Sequence, residues 1–77
     1  MEINFIKTET LLDIVFQNRN NIIETRLCFN NVTATHFIYF NGKKIFDEGI
    51  DGEKRAISKE EFLNNYQNNY WLIDSIV

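Results

Sequence analysis

The chain contains no proline, one cysteine, one histidine and three glycines. With Cys28 alone, no intramolecular disulfide can form, so a core must hold the fold, and a reducing, cytoplasmic compartment suits that usage. Cys28 and His36 together fall short of the four Cys or His ligands of a structural zinc site, so no metal is expected. The glycines form no phosphate-cradling run, and no cofactor is expected. No apolar stretch approaches the roughly 20 residues that cross a bilayer, so no membrane partner is expected. The start "MEINFIKTET" lacks the charged lead and long apolar run of a signal peptide. Asn31-Val32-Thr33 matches a glycosylation sequon and, with nothing else pointing to secretion, reads as a chance match.

A basic excess is also missing. The net charge is −3, and the basic residues are scattered apart from Lys43-Lys44 and Lys54-Arg55. Neutralising phosphates supplies most of the affinity of nucleic-acid binders, so this balance counts against one.

What is present is apolar and aromatic. The chain is 44% hydrophobic and 14% aromatic over 77 residues, enough to offset chain entropy in one small domain spanning 1–77. A chain this short sits near the lower limit for a single unstapled core, and a homodimer would help it bury surface. Asn is abundant, with eleven copies, a hint of an AT-rich genome.

The periodicities predict a strand over 2–7 and a helix over 9–18, where Leu11, Leu12, Val15 and Phe16 recur at helical spacing. Thr8 or Thr10 is placed to cap it. A strand through "LDIVFQ" is the alternative, because Ile14, Val15 and Phe16 favour strands. "IIETRLCF" and "VTATHFIYF" read as strands joined at Asn30-Asn31, and Asn41-Gly42 signals a hairpin into "KKIFDE". "GIDGEKR" reads as a polar loop. "ISKEEF" then spells a helix start, with Ser58 as N-cap, Glu61 closing a capping box, and Ile57 and Phe62 as a hydrophobic staple. That helix runs through "KEEFLNNYQN", and "YWLIDSIV" is a last strand. The expected fold is α+β, in the order β-α-β-β-β-α-β, with a mostly antiparallel sheet and two short helices on one face.

A two-residue turn at Asn41-Gly42 would set Phe40 opposite Lys43 and His36 opposite Asp47. Strand alternation then sorts the side chains. One face gathers Ile23, Thr25, Leu27, Phe29, Val32, Ala34, His36, Ile38, Phe40 and Ile45, the expected core. The other holds Phe37, Tyr39 and Phe46 among Ile22, Glu24, Arg26, Cys28, Thr33, Thr35, Lys44 and Glu48. Clustered aromatics on a polar background suit a binding surface. A helix or a second copy covering that face is the structural alternative.

Catalytic patterns are lacking. Cys28 and His36 fall on opposite faces, so they form no nucleophile pair. His36 beside Asp47 reads as a structural pair. "DEGIDGEK" fails as a calcium loop, since counting from Asp47 puts Gly49 at position three and Ser58 at position twelve. The strand "HFIYF" is similar to the aromatic strand of RNA-recognition domains, but the glycines and leading basic residue of that motif are absent, and the chain is not assigned to them.

These readings converge on a non-enzymatic protein-binding module. Phe37, Tyr39 and Phe46 would contact a partner protein, rimmed by Arg26, Lys44, Glu24 and Glu48. A phage or mobile-element inhibitor of a host defence or nucleic-acid-processing enzyme fits the size, acidity and Asn content. The alternative is single-stranded nucleic-acid binding, with the same aromatics stacking bases and Arg26, Lys43 and Lys44 meeting phosphates. A small enzyme using His36 as base, oriented by Asp47, ranks last.

Overall fold

A computed structural model describes residues 5–29, 32–49 and 52–77. The fold is α+β: an antiparallel sheet carries two helices on one face. Its elements are β1 (Ile6–Lys7), α1 (Thr8–Gln17), β2 (Ile22–Phe29), β3 (Val32–Phe40), β4 (Ile45–Glu48), β5 (Lys54–Ile57), α2 (Lys59–Asn65) and β6 (Tyr70–Ile76). The strand order is β1-β6-β2-β3-β4-β5. No helix among the described residues is long and apolar enough to cross a membrane.

Segment 8–17 is a helix, not a strand. Leu11, Leu12 and Val15 form one apolar stripe, and all three are fully buried against the sheet. That burial outweighs the strand preference of Ile14, Val15 and Phe16. The start differs from expectation. Lys7 occupies the N-cap and supplies no side-chain bond, while Thr8 lies inside the helix. The Thr8 hydroxyl instead donates to the Tyr66 carbonyl (2.8 Å) and accepts from Trp71 Nε1 (2.9 Å), tying α1 to the end of α2 and to β6.

Helix α2 starts as its sequence dictates. Ser58 is extended, and its Oγ accepts from the Glu61 amide at 3.1 Å. Phe62 is buried, and Ile57 packs against the same core. The helix is shorter than expected: Tyr66 is its C-cap, and Asn68 takes a positive φ of 61° just before β6.

Segment 49–55 differs most from the sequence reading. Its last two residues, Lys54 and Arg55, are not loop but the start of β5, an edge strand paired with β4. Lys54, Arg55 and Ala56 are exposed. They lack the apolar alternation that marks a strand, and their charges suit an unpaired sheet edge.

The β3–β4 hairpin is also shifted. Phe40 faces Ile45 and Tyr39 faces Phe46, so the connection spans 41–44 rather than two residues. Asn41 closes this loop from its side chain: Oδ1 accepts from the amides of both Lys43 and Lys44 at 2.8 Å. Gly42 supplies the positive φ, 98°. The slip is two residues, an even number, so every side chain of the paired segments 37–40 and 45–48 keeps its face. The β2–β3 register is as expected, with Ile23 facing Ile38 and Leu27 facing Ala34. The Asn30-Asn31 turn lies outside the described residues, as do Asn31 of the sequon, residues 2–4 of the first strand, and Ile50 and Asp51 of the polar loop.

The core lies between the sheet and the helices. Ile23, Ile38, Ile45 and Trp71 from the sheet meet Leu11, Leu12, Val15 and Phe62 from the helices. Trp71 stacks on Phe62 with centroids 5.7 Å apart. The opposite sheet face carries neither helix. A bulge in β6 opposite Glu24 and Thr25 interrupts the β2–β6 register around Asp74.

Candidate docking face and the buried polar cluster

The aromatic run of β3 is divided by strand alternation. Ile38 points inward and is 0% exposed, whereas its neighbour Phe37 points outward and is 39% exposed. On the outer face a cross-strand row runs Ile22, Tyr39, Phe46, Ala56 over β2, β3, β4 and β5. The next row runs Glu24, Phe37, Glu48, Lys54. Together they shape a shallow depression of about 390 Å3, lined by Ile22, Phe37, Tyr39, Phe46, Glu48 and Lys54. Ile22 is 48% exposed. Tyr39 and Phe46 lie 6.2 Å apart, and the Tyr39 hydroxyl donates to Asn20 Oδ1 at 3.1 Å, fixing the ring.

Of the residues expected here, Phe37, Tyr39, Phe46 and Glu48 come together, with Glu24 directly across from Phe37. Arg26 lies further along β2, and its guanidinium grips Asp74: Nε lies 3.2 and 3.0 Å from the two carboxylate oxygens. Lys44 is not on this rim. The longer β3–β4 loop carries it to a groove beside Phe40 and Ser58 on the helix side. Lys54 stands on the rim instead, facing Glu48 across the β4–β5 pair. Sequence reasoning missed Lys54 because β5 has no apolar periodicity. Ile22 was legible from alternation alone.

The inner face holds a polar cluster centred on Asp47, which is 2% exposed. Asp47 Oδ1 lies 2.9 Å from His36 Nδ1, and Oδ2 accepts from the Tyr66 hydroxyl at 2.5 Å. With Asp47 ionised, its carboxylate accepts here and His36 Nδ1–H donates. His36 is not directly opposite Asp47. Ile38 is, and His36 reaches the carboxylate diagonally from two residues along the same face. The His36 ring packs edge-on against Trp71 (5.5 Å) and Tyr66 (5.8 Å), and its carbonyl accepts from the Thr25 hydroxyl at 2.9 Å. Burial, then the hydrogen bond and charge of Asp47, push the Tyr66 phenol well above its ordinary value.

The polar contacts of this cluster are satisfied internally. Among the described residues, no buried side-chain N or O atom lacks a hydrogen-bond partner. Neither His36 nor Asp47 lines the depression on the outer face or the two other clefts of similar size. Cys28 is on the other side of the sheet, its Sγ 3.9 Å from the Arg26 carbonyl. The arrangement ties β3 and β4 to the end of α2. No group of three or more metal-ligating side chains occurs among the described residues. No protein-family model, curated protein or solved structure matches the chain.

Proposed function

We propose that this is a non-enzymatic docking module of the inhibitor or adaptor kind, which binds a partner protein through the outer sheet face. The observation that carries the reading is the cross-strand cluster of Ile22, Phe37, Tyr39 and Phe46 on the face that neither helix covers. Exposed Phe37 and half-buried Tyr39 and Phe46, flanked by Glu24, Glu48 and Lys54, combine an apolar centre with a charged rim, the composition of a protein interface. The same rim disfavours a nucleic-acid strand. Two carboxylates border the aromatics, Arg26 is engaged by Asp74, and Lys44 is elsewhere.

The test is a pull-down from nuclease-treated lysate of the source cells, with sedimentation of the purified chain alongside. Wild type is compared with a Phe37→Ala/Tyr39→Ala double variant whose thermal unfolding shows it folded. A protein retained by wild type and lost with the variant supports the reading. Recovery of nucleic acid before nuclease and nothing after it overturns the reading in favour of strand binding. A wild-type dimer that the variant converts to monomer, with no partner captured, assigns the face to self-association instead.

A further inference from the structure

The chain is acidic, with 11 Asp and Glu against 8 Lys and Arg, yet cations gather at one end of its helix side. There the C-terminal part of α1, the β3–β4 loop and the start of α2 leave an open groove of about 430 Å3. Its apolar lining comes from Phe16, Phe40, Ile45 and Ile57, and its basic lining from Lys43, Lys44 and Lys59. The Arg19 guanidinium lies against Gly42, one residue before Lys43. None of the ion pairs among the described residues uses any of these four cations. Glu61 is the carboxylate in the lining, at the first turn of α2 where the helix dipole favours it.

Four cations gathered around a single lining carboxylate, Glu61, leave a net positive charge that attracts an anionic ligand. The apolar lining narrows the choice of ligand. A free phosphate would leave Phe40 and Ile57 uncovered. A nucleic-acid strand needs open ring faces for stacking. Here Phe16 and Phe40 pack edge-to-face at 4.7 Å, and the Lys59 ammonium sits 5.6 Å over the Phe16 ring. We propose that the groove docks an acidic segment of a partner protein. Apolar side chains of that segment seat on the Phe16–Phe40 wall, and its carboxylates meet Lys43, Lys44, Lys59 and Arg19. The groove shares no lining residue with the depression on the aromatic face and does not depend on that face having a partner.

The test is an NMR titration of the 15N-labelled full chain with a short blocked peptide of alternating glutamate and leucine. Its glutamine counterpart and an oligothymidylate are run in parallel. The expected result is saturable shifts at Phe16, Phe40, Lys43, Lys44 and Lys59, weakened at least about tenfold by Lys43→Glu/Lys44→Glu and by raised salt. The Phe37→Ala/Tyr39→Ala variant should bind the peptide as wild type does, which separates this site from the docking face. The proposal is overturned by the absence of saturable shifts at these residues, by shifts confined to the aromatic face, by equal binding of the glutamine peptide, or by tighter binding of the oligothymidylate to the same residues. Both variants carry only exposed or half-exposed substitutions, and their thermal unfolding is recorded first.

Discussion

The bond from Tyr66 to Asp47 should be among the most informative single contacts to remove. Tyr66→Phe deletes one hydroxyl, keeps the ring packed on Phe62 and Trp71, and leaves Asp47 Oδ2 without its 2.5 Å donor. Hydrogen bonds to charged groups contribute about 1.5–3 kcal/mol, and an orphaned buried acceptor keeps its full desolvation penalty. For a domain of this size, each 1 kcal/mol moves Tm by about 4–8 °C, so a fall on the order of 10 °C is expected at pH 7. The pH dependence provides the second readout. The fold raises the Tyr66 phenol above its ordinary value, so its contribution is fully present below the unfolded value of about 10 and is lost as pH climbs toward the folded one. Wild type should therefore lose stability relative to Tyr66→Phe above about pH 10. The limiting slope for one proton is about 1.4 kcal/mol per pH unit, and the water that reaches the partly exposed ring makes the observed slope smaller. Urea unfolding of both proteins from pH 7 to 11.5, followed by Trp71 fluorescence, measures the gap. A gap near zero at pH 7, or one that stays constant up to pH 11.5, would refute the reasoning.

Two further outcomes follow from burial and capping. Ile38→Ala, in the fully buried half of the β3 alternation, should cost about 2–5 kcal/mol, whereas Phe37→Ala one residue away should cost no more than about 1 kcal/mol; equal losses by denaturant titration would contradict the face assignment. Ser58→Ala removes the acceptor for the Glu61 amide and should cost about 0.5–2 kcal/mol, with Ser58→Asp retaining most of it; indistinguishable unfolding midpoints for Ala and wild type would show that α2 does not depend on its cap.

The α+β class, both helices, the long β2–β3 hairpin and the division of its side chains between core and surface were legible in the sequence. Each rests on local rules that a linear pattern carries. Helical spacing placed Leu11, Leu12 and Val15 on one stripe, the Ser58 signature started α2, and alternation with period two split Phe37 from Ile38. Parity also protected the face assignment when the β3–β4 register differed by two residues.

Tertiary structure decided the rest, because the rest depends on partners distant in the chain. β5 is a strand only because β4 offers it an edge, and nothing in Lys54-Arg55-Ala56 announces that. Thr8 leaves the helix cap because Tyr66 and Trp71, about 60 residues away, come within hydrogen-bond reach of it. The outer face gained Lys54 and lost Lys44 through that same strand and a longer loop. Local periodicity is written in neighbouring residues and survives small errors of register. Which charges meet, and which buried polar groups satisfy one another, is set only when the sheet closes and the helices settle on it.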